Sequence, residues 1–323
     1  MKKPIAIIAG EPNSISSEII FKSWKSKNTY KHKPFFIIGS FKLLKSQMRK
    51  LKYNIEIKKI DKNLKKKDFI NNKLLICDIK YNQKKAFENI SSKSNKYIFK
   101  CFNLASELAN KKKILGIINC PVSKEFLFKK KHQGITEYLS EKENKKDNGV
   151  MLIYNRKLSV SPITTHIPID QVSKKIKKKK IIDKIKIINI FFKKHLLKKP
   201  NFALLGLNPH NYYSSKKSKI KKDIIAAVKI LKKLKINIKG PVSSDTSFMS
   251  FNKHKYDIII GMYHDQVLSP FKALYNFKAI NITLGLPYIR ISPDHGVAQD
   301  IVGKKKAYAD SLIESIKFFN FIK

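Results

Sequence analysis

The sequence predicts an α/β protein built on parallel sheets. Short apolar, β-prone runs recur along the whole chain, and segments of helical spacing separate most of them. Several of these runs also stop abruptly at His, Asp, Asn or Arg. That is the pattern of a buried parallel strand delivering polar groups at its carboxyl end.

The first strand is read at Ile5–Ala9. The basic residues before it imitate a signal peptide, but the run is too short for a hydrophobic core region and stops at Gly10-Glu11-Pro12. Further strands fall at Pro34–Ile38, Leu74–Ile79, Ile114–Asn119, Val150–Tyr154, Phe202–Leu207, Ile258–Met262 and Ile280–Leu284. One long helix is expected from Gln171 to Leu197, with Val172, Ile176, Ile181, Ile185, Ile188 and Phe192 inward, Lys174 to Lys180 exposed and Pro200 beyond its end. Others span about Lys221–Leu234 and Ala307–Phe319. Lys124 to Gly149 reads as loops around a short helix, Glu137–Lys142, and as a crossover between domains; Asn54–Lys67 reads as a surface connection.

A chain of 323 residues, 42% hydrophobic, can bury a large core. Its formal charge of +46 suggests polyanions, yet only Arg49, Arg156 and Arg290 among the 69 basic residues are arginine. Uniform Lys, Ile and Asn enrichment fits an AT-rich coding bias better than a nucleic-acid footprint, so a noncatalytic nucleic-acid-binding protein is the alternative and no specific nucleic-acid partner is expected. Cys77, Cys101 and Cys120, without a C-x-x-C pair, fit a reduced, cytoplasmic setting, and no apolar run is long enough to span a membrane.

Three histidines follow strand-like runs: His166 in Thr164-Thr165-His166-Ile167-Pro168, His210 in Asn208-Pro209-His210, and His264 in Met262-Tyr263-His264-Asp265-Gln266. Three imidazoles leave a divalent ion with open positions for substrate, and Asp265 and Asn208 are candidates to orient the rings. His32, His132, His195 and His254 lie in Lys-rich contexts and are read as surface residues. Lys272, Asn281 and Arg290 suggest a carboxylate or phosphate clamp; a stabilising ion pair is the other reading. No G-x-G-x-x-G follows a strand and no Walker A lysine is present, so neither a Rossmann nor a P-loop site is supported.

Together these stretches resemble the 4-hydroxythreonine-4-phosphate dehydrogenases of pyridoxal phosphate biosynthesis. The matching pieces run in order: Gly10-Glu11-Pro12, Cys120-Pro121-Val122-Ser123-Lys124, Gly134-Ile135-Thr136-Glu137-Tyr138-Leu139, the three histidine blocks, Gly240-Pro241 with Asp245-Thr246, and Asn281 through Arg290. The resemblance implies two α/β/α domains with a cleft between them, like isocitrate and isopropylmalate dehydrogenases and not Rossmann. A terminal domain would take 1–128 and 275–323, and a central one 129–274. It implies a divalent metal (zinc, magnesium or cobalt) on His166, His210 and His264, completed across a homodimer. Substrate would meet Thr136, Lys272, Asn281 and Arg290; His295, Gly296, Ala298 and Asp300 would form the adenosine-side loop for NAD or NADP. The implied reaction is oxidation of 4-phosphooxy-L-threonine to a β-keto acid that loses carbon dioxide, giving 3-amino-2-oxopropyl phosphate, with Lys272 or Asp265 as candidate bases.

Three departures stand out. Ile135 occupies the position of the family's substrate-contacting His, which keeps a related phosphorylated sugar acid, phospho-threonate or phospho-erythronate, as an alternative substrate. The loop Asn211-Tyr212-Tyr213-Ser214-Ser215 replaces a Gly- and Glu-bearing one, and Ser14, Ser16 and Ser17 stand where glycines and a proline are usual.

Overall fold

The computed structural model describes residues 3–70, 72–128, 134–144, 149–212, 218–276 and 278–322. Residues 1–143 with 286–321 form one compact unit and 144–285 the core of the other. The division thus falls near 143 and 285, where the sequence places it near 128 and 274. Ile135 and Leu139 bury with Leu127 and Phe128 in the core of the first unit, which is why the intervening short helix belongs there. Of the altered loop, Tyr213 to Ser215 lie outside the described residues, as does His132.

The chain enters the terminal unit through β1 (Ile5–Ile8), α1 (Ser16–Lys25), β2 (Phe35–Gly39), α2 (Phe41–Lys50), β3 (Ile57–Ile60), β4 (Leu74–Asp78), α3 (Asn95–Asn110), β5 (Gly116–Asn119), α4 (Lys124–Phe128) and α5 (Ile135–Lys142). The central unit holds β6 (Val150–Tyr154), β7 (Ser159–Pro162), α6 (Ile169–Lys175), α7 (Lys178–His195), β8 (Phe202–Leu205), α8 (Lys219–Lys233), β9 (Ile238–Val242), α9 (Ser244–Ser247), β10 (Ile258–Gly261), α10 (His264–Tyr275) and β11 (Ile280–Leu284). The chain then returns to the terminal unit with β12 (Ile289–Pro293) and α11 (Asp310–Phe318).

In the terminal unit the strands order as β3-β4-β2-β1-β5-β12, each pair parallel. β1, β2 and β5 are apolar on both faces, as strands covered by helices on both sides must be. On one face α3 buries Tyr97, Ile98, Cys101, Phe102, Ala105 and Leu108, a three-to-four-residue stripe laid over Ala6, Phe36 and Ile117. Fully buried Phe102 alone contributes about 1.5–3 kcal/mol.

In the central unit the order is β11-β6-β7-β10-β8-β9. Here the expectation of a wholly parallel sheet needs correction: β6 runs antiparallel to both β7 and β11. Only four residues join β6 to β7, too few for a crossover, and Asn155 Oδ1 tightens the turn by accepting the Lys157 N–H at 3.0 Å. The single helix expected from Gln171 to Leu197 is two, because Ile176 and Lys177 are extended (ψ 116° and 142°). A five-residue step such as Ile176 to Ile181 falls ~140° off a helical stripe at 100° per residue, so the break lets both segments bury their apolar residues. Lys174, Lys175 and Lys177 to Lys180 are exposed. No described helix is long and apolar enough to cross a membrane.

Gly116 is a close-approach site: a Cβ there would stand 2.6 Å from the Ile289 carbonyl and 2.7 Å from the Phe319 ring. Gly116→Ala is expected to destabilise the protein by about 1–3 kcal/mol in urea titration. The three cysteines are free and buried, and burial pushes the Cys77 thiol up to about 11 and Cys101 and Cys120 further. Because thiolate forms only as pH approaches those values, native protein at about pH 8 is expected to resist a thiol-specific disulfide reagent until denatured. Prompt labelling of the folded chain would refute this burial.

Candidate active site

Three neighbouring parallel strands of the central unit, β7, β10 and β8, end level with one another: Gly261 pairs with Pro162, and Ile260 with Leu204. The loops leaving them carry His166, His264 and His210. Thr164 joins the first loop to the second, since its Oγ1 donates to the Met262 carbonyl at 2.7 Å. Gln266 joins the second to the third; its Oε1 accepts the Met262 N–H at 2.7 Å and its Nε2 donates to the Gly206 carbonyl at 2.8 Å. The Asn211 side chain packs against Gly206, so that a Cβ there would stand 1.6 Å from Asn211 Oδ1 and require that side chain to move.

This framework brings the His166 and His264 rings to 5.6 Å between centroids. His210 is 78% exposed, with Nδ1 3.4 Å from Asp245 Oδ2. As placed, no three His, Cys, Asp or Glu side chains among the described residues are close enough to hold an ion together. The backbone is nevertheless committed: His166 and His210 have φ of 33° and 48°, a left-handed conformation costly for a residue with a side chain. His264 opens α10, and its Nδ1 lies 2.6 Å from Asp265 Oδ1. Asn208, expected to orient a ring, instead donates to the Tyr212 carbonyl at 2.9 Å and closes its own loop.

Lys272 is exposed on the same helix as His264. Asn281 sits second in β11, aligned through Ile153 with Val160, and is therefore set back from the end of β7. Its Oδ1 is buried without a hydrogen-bond partner, an acceptor held ready for a donor.

The remaining candidates belong to the terminal unit. Arg290, on β12, is 3% exposed and donates from Nε to Asn119 Oδ1 at 2.6 Å. Burial lowers its pKa to about 10, Glu137 opposes the shift, and the guanidinium stays charged at neutral pH. Thr136 is half-buried one residue before Glu137 on α5. Ile135 is 5% exposed inside the hydrophobic core, so its side chain faces packing and not a ligand. Tyr288 hydrogen-bonds Ser106 and Glu143, both at 3.1 Å, and burial raises its pKa.

His295, Gly296, Ala298 and Asp300 lie on the loop after β12, and Ala298 is left-handed (φ 43°). Gln299 and Val302 of this loop line a cavity of about 850 Å³ together with Tyr81, Gln83, Lys84 and Phe87. The facing segment is anchored to the first turn: Asn13 Oδ1 accepts from Gln83 Nε2 at 3.0 Å and the Glu88 N–H at 2.8 Å, and Gln47 Nε2 reaches the Pro12 and Ala86 carbonyls. Beneath it Glu11 is buried; desolvation raises its pKa, against hydrogen bonds from the Asn13 N–H and the Ser94 hydroxyl.

Sequence reasoning did not assign Asn119, Glu137, Gln266 or Asp245. Gln266 and Asp245 stood in quoted motifs, whereas Asn119 becomes visible only through strand pairing between β5 and β12.

Comparison with known proteins extends these observations. The sequence model of the pyridoxal phosphate biosynthetic protein PdxA matches residues 31–319. A 4-hydroxythreonine-4-phosphate dehydrogenase of Sulfurihydrogenibium sp. is 36% identical over 99% of this chain and 98% of its own. A D-threonate 4-phosphate dehydrogenase of Salmonella typhimurium is 30% identical over 98% and 97%. The crystal structure of the Klebsiella pneumoniae 4-hydroxythreonine-4-phosphate dehydrogenase superposes with a TM-score of 0.85 at 28% identity, covering 99% of each chain. At 8% identity and a TM-score of 0.50, a β-decarboxylating dehydrogenase of Thermococcus kodakarensis shares the fold. Fold and sequence thus point together to an α/β enzyme of the dehydrogenase class. Within that class the chain belongs to the PdxA family of pyridoxal phosphate biosynthetic proteins.

Gln266→Ala leaves the Met262 N–H and the Gly206 carbonyl without their partner. The expected cost is about 1–3 kcal/mol in chemical denaturation, with weakened communication among the three loops. A stability equal to wild type would remove Gln266 from this role.

Proposed function

We propose that the chain oxidises 4-phosphooxy-L-threonine with NAD or NADP and a divalent metal, and that the β-keto product decarboxylates to 3-amino-2-oxopropyl phosphate. Full-length similarity to a dehydrogenase named for that substrate carries the reading. The gathered strand ends support it, because two left-handed histidines and a helix-opening one are displayed on loops fixed by Thr164 and Gln266.

His166, His210 and His264 are assigned to the metal. Three imidazoles suit zinc or cobalt better than magnesium, which prefers oxygen ligands. When bound, the ion polarises the substrate hydroxyl and lowers its pKa. Asp265 Oδ1, 2.6 Å from Nδ1, would orient the His264 ring for such an ion. On the central unit Lys272 and Asn281 are assigned to substrate, Asn281 Oδ1 accepting a hydrogen bond from it; on the terminal unit, Thr136 and Arg290 are. Arg290 arrives preorganised, its Nε held by Asn119 and its charge kept in a site of low polarisability where an anion binds strongly. Lys272 and Asp265 are the candidate proton acceptors. The loop bearing His295, Gly296, Ala298 and Asp300 is assigned to the dinucleotide, and the cavity of about 850 Å³ beside it lies within the range of small-molecule sites. The working form is a homodimer in the cytoplasm.

The test is dinucleotide reduction followed by absorbance, with 4-phosphooxy-L-threonine and D-threonate 4-phosphate in parallel, with added zinc or cobalt and with chelator. Metal-dependent turnover of the first substrate in preference to the second is expected. Preference for the threonate would reassign the substrate, and no reduction with either would end the proposal. His264→Ala is expected to abolish turnover while the protein remains folded by circular dichroism. Asp265→Ala should lose about ten- to a hundredfold in metal affinity or activity. Full activity of His264→Ala would refute the metal assignment.

A further inference from the structure

The loop at 294–307 adopts a conformation it would not keep unaided. Ala298, Gly303 and Lys305 are left-handed (φ 43°, 75° and 61°), and two of them are not glycine. Its start is tied to α11, where the Ser311 hydroxyl accepts the Asp294 N–H at 2.8 Å, and further along α1 and the residue before it take hold. The Ile15 N–H donates to the Val297 carbonyl at 3.3 Å. Lys22 Nζ donates to the carbonyls of Lys305 at 2.9 Å and Ala307 at 2.6 Å, and Glu18 Oε1 accepts the Ala307 N–H at 2.8 Å. Glu18 and Lys22, one helical turn apart, also pair at 2.9 Å, with the carboxylate 1% exposed.

An ammonium has three protons, and Lys22 directs all three at the protein: one to Glu18, two to carbonyls two residues apart. It has no donor left for a ligand. We infer that Glu18 and Lys22 are positioning residues for the dinucleotide, acting through the backbone of 305–307 and never touching the cofactor. This rests on the assignment of the loop to the dinucleotide made above. The buried carboxylate aims the ammonium, the ammonium binds two carbonyls, and the Ala307 N–H returns to the carboxylate, closing a ring of contacts between α1 and the segment.

The test uses the full-length protein. Binding of the reduced dinucleotide is titrated through the fluorescence of Trp24, the single tryptophan, which also lies on α1. In Lys22→Met, affinity is expected to fall about tenfold and the KM for dinucleotide to rise with it, while the KM for the phosphorylated substrate stays within about twofold. Amide hydrogen exchange in 297–307 should accelerate, and Lys22→Arg should restore most of the affinity. Unchanged affinity in Lys22→Met, or equal rises in both KM values, overturns the inference. Should Lys22→Met fail to fold, Glu18→Gln serves: its amide oxygen still accepts the Ala307 N–H but loses the charge pairing, and about threefold weaker binding is expected, with unaltered binding again decisive against the inference. Wild-type protein that turns over no substrate fails the proposed function instead, so the two failures are separable.

Discussion

Gln266 bonds in two directions at once, accepting from the backbone of its own loop and donating to the loop that follows β8. The arrangement at the strand ends depends on it, because adjacent parallel strands place their loops near one another without fixing how those loops lie. The amide converts nearness into register. Thr164 performs the same task on the other side, and between them the segments bearing His166, His264 and His210 are held as one surface. Backbone groups of all three loops take part in these hydrogen bonds, and Val267, Leu268 and Phe271 anchor the following helix in the core.

What the sequence disclosed and what it hid divide along physical lines. Strands buried on both faces are largely apolar, so β1, β2, β4, β5, β6, β8, β10 and β11 stood out as runs. β3 was passed over as a surface connection because, at the sheet edge, it carries Lys58 and Lys59; β9, at the other edge, contains Gly240 and Pro241. β7 is interior but polar, and its Ser161 hydroxyl is satisfied by the Met151 carbonyl, a contact no local pattern announces. The break at Ile176 was present in the spacing as a five-residue step, yet a run of lysines masked it.

The histidines after strands stood out in the sequence, and the structure brings the His166 and His264 rings to 5.6 Å while His210 stays exposed beside Asp245. Their partners stood out less. Arg290 was noticed for its rarity, but that it is buried and steered by Asn119 follows only from β12 lying beside β5. Ile135 is the instructive case. As a departure from the family's pattern it raises a question about substrate; in the fold it is a core residue packed with Leu127, Phe128 and Leu139. The isoleucine side chain is therefore accounted for by burial, and the polar groups beside it on α5 are Thr136 and Glu137, whose charge opposes the lowering of the Arg290 pKa.

The exposed lysines act together as a collective field. Small anions approaching a body with a formal charge of +46 do not diffuse blindly; they are drawn in over roughly a Debye length, about 8 Å at physiological ionic strength. Encounter is hastened for every phosphorylated metabolite alike, so the surface contributes speed without choice. Discrimination must then come from buried and hydrogen-bonded groups: of the three arginines, Arg49 and Arg156 share the exposed surface with the lysines, and Arg290 is the buried one.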